Sequence, residues 1–307
     1  MHPTFLGIEI GGTKLQIVVG DSQAAIQHRE RFVVDPAEGA AGIRRQLERC
    51  VPTLVRQYEV QAVGVGFGGP VDSQNGRIAR SHQIEGWSGF ALRDWVSELA
   101  QRPAWVENDA NTAALAEATL GAGRGFDPVF YVTLGSGVGG GCVVGGKIYH
   151  GAAPGESEIG HLRLERTGTI VEQRCSGWAV DARLRRLKDE GVKSLLCDWM
   201  TERPGGEAKL LPKALAARDA VAEQVLNETG SDLAFALSHV THLFHPQAVV
   251  LGGGLSLIGE PLREVVSRAL PAFVMEVFGG GPAVKLAALG EDAVPVGTLL
   301  GVQTVES

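Results

Sequence analysis

The sequence predicts an α/β protein made of two domains with a cleft between them. Three observations carry this reading. Glycine accounts for 42 of the 307 residues, and its clusters adjoin short apolar runs. The order strand, glycine turn, strand and then helices occurs twice, opening at Phe5 and again at Val129. Between and after these openings, short buried-strand patterns alternate with helical periodicity, as expected for helices packed on sheets. The repeat is one of architecture and not of sequence. A chain of this length holds one large domain or two of ordinary size, each with its own core.

Phe5 to Ile10 reads as a buried strand and Lys14 to Val19 as its partner, with Gly11-Gly12-Thr13 as the turn. Glycine lets successive backbone N–H groups face one point, so this hairpin suits a phosphate. A plain hairpin turn is the other reading. It is not a P-loop, which needs G-x-x-x-x-G-K-[ST] running into a helix. Ala40 to Tyr58 has helical periodicity, with Ile43, Leu47, Leu54 and Val55 on its apolar side. Ala62 to Phe67 reads as a strand, ended by the rigid turn Gly68-Gly69-Pro70-Val71-Asp72. That turn either admits a ligand to the backbone or simply reverses the chain. Ala91 to Ala100 is a short helix.

A strand from Pro103 to Val106 then runs into Glu107-Asn108-Asp109-Ala110-Asn111, and a helical pattern from Ala110 to Ala118 leaves it. A carboxylate, Asp109, and two amides thus sit at a strand-to-helix junction. Asp109 is a candidate general base; an N-cap is the blander role for the same residue.

Val129 to Leu134 is a strand, followed by Gly135-Ser136-Gly137-Val138-Gly139-Gly140-Gly141. The glycines fit G-x-G-x-x-G, but a dinucleotide site needs a helix there. Strand, turn and strand follow instead, in Cys142-Val143-Val144, Gly145-Gly146 and Lys147-Ile148-Tyr149. This is a second glycine-turned hairpin for phosphates. Gly151 to Glu158 reads as a polar loop leading into Glu158-Ile159-Gly160-His161. Glu158 and His161 either point into one pocket or belong to an exposed loop. Helices are expected at Ala179–Lys188, Ala214–Asn227, Asp232–Leu243, Pro261–Ala269 and Val296–Thr304, with strands at Ala248–Leu251 and Val284–Leu289. Gly252-Gly253-Gly254 precedes the helix at Pro261, a placement that favours nucleotide contact at a helix N-terminus.

Composition removes several function classes. Hydrophobic residues make up 44% and charged residues 21%, and no run of about 18 apolar residues occurs. The start Met1-His2-Pro3-Thr4 has no signal-peptide character, so a cytoplasmic protein is expected. A net charge of −7 argues against a nucleic-acid surface. The densest basic run, Arg183-Leu184-Arg185-Arg186, lies in a helical pattern and is expected to be a solvated face. Cys50, Cys142, Cys175 and Cys197 share no close spacing, so thiols are expected and not disulfides.

These motifs, in this order, resemble the ROK family of bacterial glucokinases, related hexose and amino-sugar kinases, and sugar-responsive repressors. Glu9 to Lys14 resembles its first phosphate motif, Glu107 to Asn111 its catalytic segment, and Leu134 to Gly141 its second phosphate motif. Glu158 to His161 resembles the sugar-binding G-E-x-G-H segment, with Ser157 where the family often has Gly. Val249 to Ser256 resembles the adenosine motif.

The resemblance implies the actin-like ATPase (ribonuclease H-like) fold. Residues 1–120 and 290–307 would form a small lobe, and 121–289 a large one. It implies ATP and Mg²⁺ as cofactors, a hexose substrate, and neither nucleic-acid nor membrane partners. A homodimer is expected, as the family often forms one. Asp109 would be the general base; Asn108, Gly69, Glu158 and His161 would contact sugar. Gly11, Gly12, Thr13, Lys14, Thr133, Gly135, Ser136 and Gly137 would hold the ATP phosphates, with Gly253 and Gly254 under the adenosine. Glu9 would face Mg²⁺ through water.

Two departures stand out. Glu9 replaces the usual Asp and is one methylene longer. The zinc-binding cysteine cluster of many members is reduced to Cys175-Ser176-Gly177-Trp178. Tetrahedral zinc needs four ligands, and His161 with Cys175 supplies two at most, so no structural zinc is expected. Trp178 and its apolar neighbours would replace the metal by packing. The family's sugar-contacting glutamate after that cluster has no clean match, Asp181 being the nearest acid. The family's repressors carry an N-terminal helix-turn-helix module, which is not expected here because the first motif begins at Glu9.

Overall fold

A computed structural model describes residues 3–12, 14–79, 85–153, 155, 157–166 and 168–305. The chain forms two compact units. One comprises Met1–Leu120, Gly141–Ser157 and Glu291–Ser307; the other comprises Gly121–Gly140 and Glu158–Gly290.

The first unit opens with β1 (Thr4–Ile10), β2 (Lys14–Asp21) and β3 (Ile26–Val33). α1 (Gly39–Gln57), β4 (Ala62–Phe67), the ribbon β5 (Val71–Asp72) and β6 (Arg77–Ile78), and α2 (Leu92–Ala100) follow. β7 (Ala104–Asn108) then leads without a loop into α3 (Asp109–Thr119). The sheet order is β3-β2-β1-β4-β7, with β1, β4 and β7 parallel and β2 and β3 antiparallel additions. The central strands are apolar along nearly their whole length because both faces are covered.

On one face, Leu6, Ile8 and Val65 share a core with Ile43, Leu47 and Leu54 of α1 and Val96 of α2. Each such side chain contributes roughly 1.5–3 kcal/mol on burial. The opposite face is covered by the chain's last α-helix, α10 (Ala293–Gly301), which lies unusually close. A side chain at Gly64 would stand 2.3 Å from Thr298 O, and one at Gly297 would stand 2.0 Å from Thr112 O. The absence of Cβ atoms here lets α10 wedge against both the sheet and α3, which fixes the start of α3.

Further along the chain come β8 (Val129–Leu134), β9 (Val138–Val144), β10 (Lys147–Ile148), α4 (Glu172–Cys175) and α5 (Gly177–Asp189). They are followed by α6 (Leu195–Trp199), α7 (Leu211–Ala216), α8 (Ala220–Phe244), β11 (Ala248–Gly252), α9 (Glu260–Ala269) and β12 (Ala283–Leu286). The second sheet has order β10-β9-β8-β11-β12, with β8, β11 and β12 parallel.

The polar segment Ile26–Val33, β3, is an edge strand with a half-exposed pattern. Several expectations are corrected here. The two helices expected at Ala214–Asn227 and Asp232–Leu243 are not separate: α8 runs unbroken through Gly230-Ser231. A 3₁₀ turn, Gly254–Ile258, separates Gly252-Gly253 from α9, so α9 does not begin on the glycines. Arg183 and Arg185 are not a solvated face; they are largely covered and pair with Glu228 and Glu207. No helix among the described residues is long and apolar enough to cross a membrane.

Candidate active site

In the first unit, the hairpin β1–β2 turns between Ile10 and Leu15, and Gly11 N–H donates to Lys14 O at 2.8 Å. Gly12 is in this turn; Thr13 lies outside the described residues. Glu9 projects from β1 and is held twice. Its Oε1 pairs with Lys14 Nζ at 3.0 Å, and its Oε2 accepts from Gln16 Nε2. Gln16 is itself buried and accepts from Arg29 at 3.3 Å. The longer Glu9 side chain is therefore anchored by its own hairpin.

The parallel strands β1 and β4 end side by side, and Gly68 N–H donates to Ile10 O at 2.8 Å. A Cβ at Gly68 would lie 3.4 Å from Asp109 Oδ2 and 3.5 Å from the Gly11 Cα. Three sequence-distant features thus converge: the first hairpin, the Gly68-Gly69 turn and Asp109. At the junction itself the capping role falls on Asn108 and not on Asp109. Asn108 Oδ1 accepts from Ala110 N–H at 2.8 Å and Asn111 N–H at 3.0 Å, satisfying two of the N–H groups that begin a helix. Its Nδ2 donates to Gly69 O at 3.1 Å, which engages one of its two hydrogens. Asp109 is the first helical residue, and its Oδ1 accepts from Ala110 N–H at 2.8 Å. A carboxylate in the first turn is favoured by the helix dipole.

In the second unit, Gly135 N–H donates to Gly137 O at 2.9 Å and Gly177 N–H donates to Gly135 O at 2.7 Å. Ser136 sits at the tip of this turn, and Thr133 pairs with Gly252 across β8 and β11. A Cβ at Gly253 would stand 2.6 Å from Leu134 N, whereas one at Gly254 would meet nothing within 4 Å. The second phosphate motif and the adenosine motif are thus in contact, with open space above Gly254.

Glu158 and His161 bracket a 3₁₀ turn, Ile159–His161, with His161 Nδ1 3.4 Å from Glu158 Oε2. A Cβ at Gly160 would stand 2.1 Å from Val138 O, so this turn is seated directly on β9.

The sequence reading missed Glu172. Its Oε2 accepts from Val138 N–H at 3.0 Å, and a Cβ at Gly137 would touch that same oxygen. Glu172 therefore joins the phosphate hairpin to the Glu158–His161 turn through Val138. Asp181 does not occupy this place: its carboxylate accepts from Gly206 and Ala208 N–H, holding another loop. Trp178 does not pack in place of a metal either, being 62% exposed. Ahead of Cys175 an isolated antiparallel bridge joins Arg163 and Ile170. Cys175 is buried, its thiol pushed well up by burial and donating to Thr229 O at 3.7 Å. Among the described residues no group of three or more His, Cys, Asp or Glu side chains is arranged to hold a metal.

Two α/β sheets, each with a glycine-turned hairpin, and a helix-initial acid define a protein of the actin-like ATPase class. The chain belongs to the ROK family, whose family model matches residues 5–304. It is 30% identical to a glucokinase from Thermotoga maritima, over 88% of this chain and 89% of that one. It is 29% identical to a glucokinase from Halalkalibacterium halodurans, over 95% and 93%. Among solved structures it is similar to a ROK family glucokinase from Streptomyces griseus in complex with glucose and AMPPNP. That match has a TM-score of 0.82 and 29% identity, over 98% of this chain and 99% of that one.

Proposed function

We propose that this chain is an ATP-dependent sugar kinase that phosphorylates a hexose hydroxyl, with glucose as substrate and glucose 6-phosphate as product. The observation that carries the reading is the neighbourhood of Asp109, a carboxylate beside Gly68, which itself borders the first glycine hairpin at Gly11. A proton acceptor beside a phosphate cradle is what transfer to a hydroxyl needs. The glucokinase relatives favour glucose.

In this reading Asp109 aligns the sugar hydroxyl and accepts its proton. Phosphoryl transfer has a loose transition state, so positioning and charge neutralisation supply most of the rate. The turns at Gly11, Gly12, Thr13 and Lys14 and at Gly135, Ser136 and Gly137, with Thr133, hold the phosphates, while the N–H groups of Gly11 and Gly135 close their own turns. Gly253 and Gly254 lie under the adenosine. Mg²⁺ enters bound to ATP, as part of the substrate. Glu9 would suit it as a hard oxygen donor acting through water, since Lys14 and Gln16 engage its two oxygens. Asn108, Gly69, Glu158 and His161 hold the sugar, and Glu172 belongs with them by its place beside Val138. No structural zinc is part of this reading, because tetrahedral zinc needs four ligands and the cysteine cluster is reduced to Cys175. The active form is a cytoplasmic homodimer.

A different hexose or an amino sugar is the second reading, since such substrates differ from glucose at single hydroxyls. ADP release with Mg-ATP across a hexose panel tests both. The highest kcat/KM should fall on glucose. A preference for another sugar selects the second reading, and no ADP release with any sugar overturns both.

A further inference from the structure

Glu107 is a buried carboxylate that the reaction above does not use. It is 1% exposed and lies next to Asn108 at the end of β7. Its Oε1 accepts from Asn108 N–H at 2.9 Å and from Asn111 Nδ2 at 3.1 Å. Its Oε2 accepts from His150 Nε2 at 2.6 Å. A carboxylate offers only lone pairs here, so Nε2 carries the hydrogen. The carboxylate therefore grips both ends of the turn that carries Asp109, and His150 grips the carboxylate.

His150 is delivered by a well-anchored segment. Tyr149 N–H donates to Cys142 O at 2.8 Å, just after β10. A Cβ at Gly141 would stand 2.8 Å from Ala110 O, so β9 approaches the first turn of α3 at backbone contact. The imidazole is 37% exposed, so one side of the ring faces solvent while Nε2 points inward.

We propose that His150 is a positioning residue for phosphoryl transfer, acting through Glu107 on the Asn108–Asn111 turn. The proposal rests on the reading of Asp109 as the base. Without His150, Glu107 Oε2 would be a buried acceptor with its short charge-assisted bond lost, a costly state. Glu107 would rotate toward another donor and loosen Asn108 N–H or Asn111 Nδ2. A general base displaced by about 1 Å can cost about 10²-fold in rate. Sugar affinity, carried mainly by other residues, should change little. The signature is thus a fall in kcat at nearly constant KM.

The test compares the full-length protein with His150→Ala, His150→Gln and Glu107→Gln, and with the His150→Ala/Glu107→Gln pair, measuring kcat, KM for glucose and ATP, and Tm. His150→Ala should lose about 10- to 100-fold in kcat, with KM for glucose within about threefold. Gln places an amide N–H near the position of Nε2, so His150→Gln should recover most of the loss. Millimolar imidazole should partly restore His150→Ala, because the ring site opens to solvent. The double variant should be little worse than the worse single variant, as expected for residues acting through one another.

Wild-type kcat in His150→Ala overturns the proposal. So does a kcat loss that neither glutamine nor imidazole restores, which would mark a purely structural role. A raised KM for glucose at unchanged kcat overturns it in favour of direct sugar contact. If His150→Ala does not fold, His150→Gln and Glu107→Gln carry the same comparison: a kcat loss confined to Glu107→Gln is expected, and equal losses in both overturn the proposal. Asp109→Asn is run alongside. Full turnover there overturns the base reading, whereas loss there with full turnover in His150→Ala overturns only the positioning role.

Discussion

The two acidic segments of the candidate site are built in opposite ways. Glu107 to Asn111 is buried and cross-linked: Asn108 caps α3 and reaches Gly69, Glu107 binds three N–H donors, and Thr112 Oγ1 donates to Asn108 O at 2.6 Å. Glu158 and His161 are 44% and 67% exposed at their side chains and meet in one 3.4 Å contact. Their backbone is seated firmly on Val138, but their side chains are not. In the function proposed above, this contrast would correspond to a rigid centre for proton and phosphoryl transfer and an adjustable one for sugar recognition. Preorganisation matters where the transition state is bound, and adaptable polar groups suffice where hydroxyls are held.

The contrast is broken most severely at Asp109. Asp109→Asn removes the proton acceptor while leaving the cap on Asn108 intact. It should lower kcat by about 10²- to 10⁴-fold, with glucose binding retained in calorimetry. Lost sugar affinity together with lost turnover would mean that the two segments are not functionally separable. On the adjustable side, His161→Ala should raise KM for glucose by about tenfold, the cost of one lost hydrogen bond to a polar substrate, and change kcat much less. A kcat loss as large as that of Asp109→Asn would place His161 in the chemistry.

Glu172 tests the join between the second glycine hairpin and the Glu158–His161 turn. Glu172→Gln keeps the volume but weakens a charge-assisted bond to Val138 N–H. An increase in KM for both glucose and ATP is expected, by roughly three- to tenfold, corresponding to about 1 kcal/mol. An effect on glucose alone would confine Glu172 to the sugar.

The fold was readable in the sequence wherever apolar periodicity was strong. β1, β4, β8 and β11 were recognisable because they are buried on both faces and nearly all apolar. Ile26–Val33 was not, because an edge strand beside β2 needs few apolar residues. The helices expected at Ala214–Asn227 and Asp232–Leu243 are one across Gly230, whose glycine serves packing: a Cβ there would stand 2.4 Å from Val265 Cγ1 of α9. The glycine hairpins and Asp109 were visible as local patterns. His150 and Glu172 were not, since their partners lie 43 and 34 residues away, and no local spacing encodes such a bond. The capping of α3 by Asn108 and not Asp109 was equally hidden, because either residue type caps a helix well and only the backbone angle at position 108 decides.

A residue outside both segments sharpens the comparison as a control. Asp219 caps α8, its Oδ1 accepting from Ala222 N–H at 2.9 Å and its Oδ2 from Leu196 N–H at 3.3 Å. Burial alone would raise its pKa, but these N–H groups and the Ser194 hydroxyl outweigh burial and hold it below the usual carboxylate value. A carboxyl depressed on folding contributes stability that is present above its unfolded pKa of about 3.9. That contribution is lost as pH falls through the lower native pKa. Asp219→Ala should cost about 1 kcal/mol at neutral pH, read as a drop in Tm, and the gap to wild type should narrow as pH falls below about 4. Its kcat and KM at 25 °C should match wild type. If KM for glucose and ATP rises as in the Glu172 variant, stability and substrate binding are coupled through the second unit, and losses at Glu172 or His161 would then report scaffold damage as much as substrate contact.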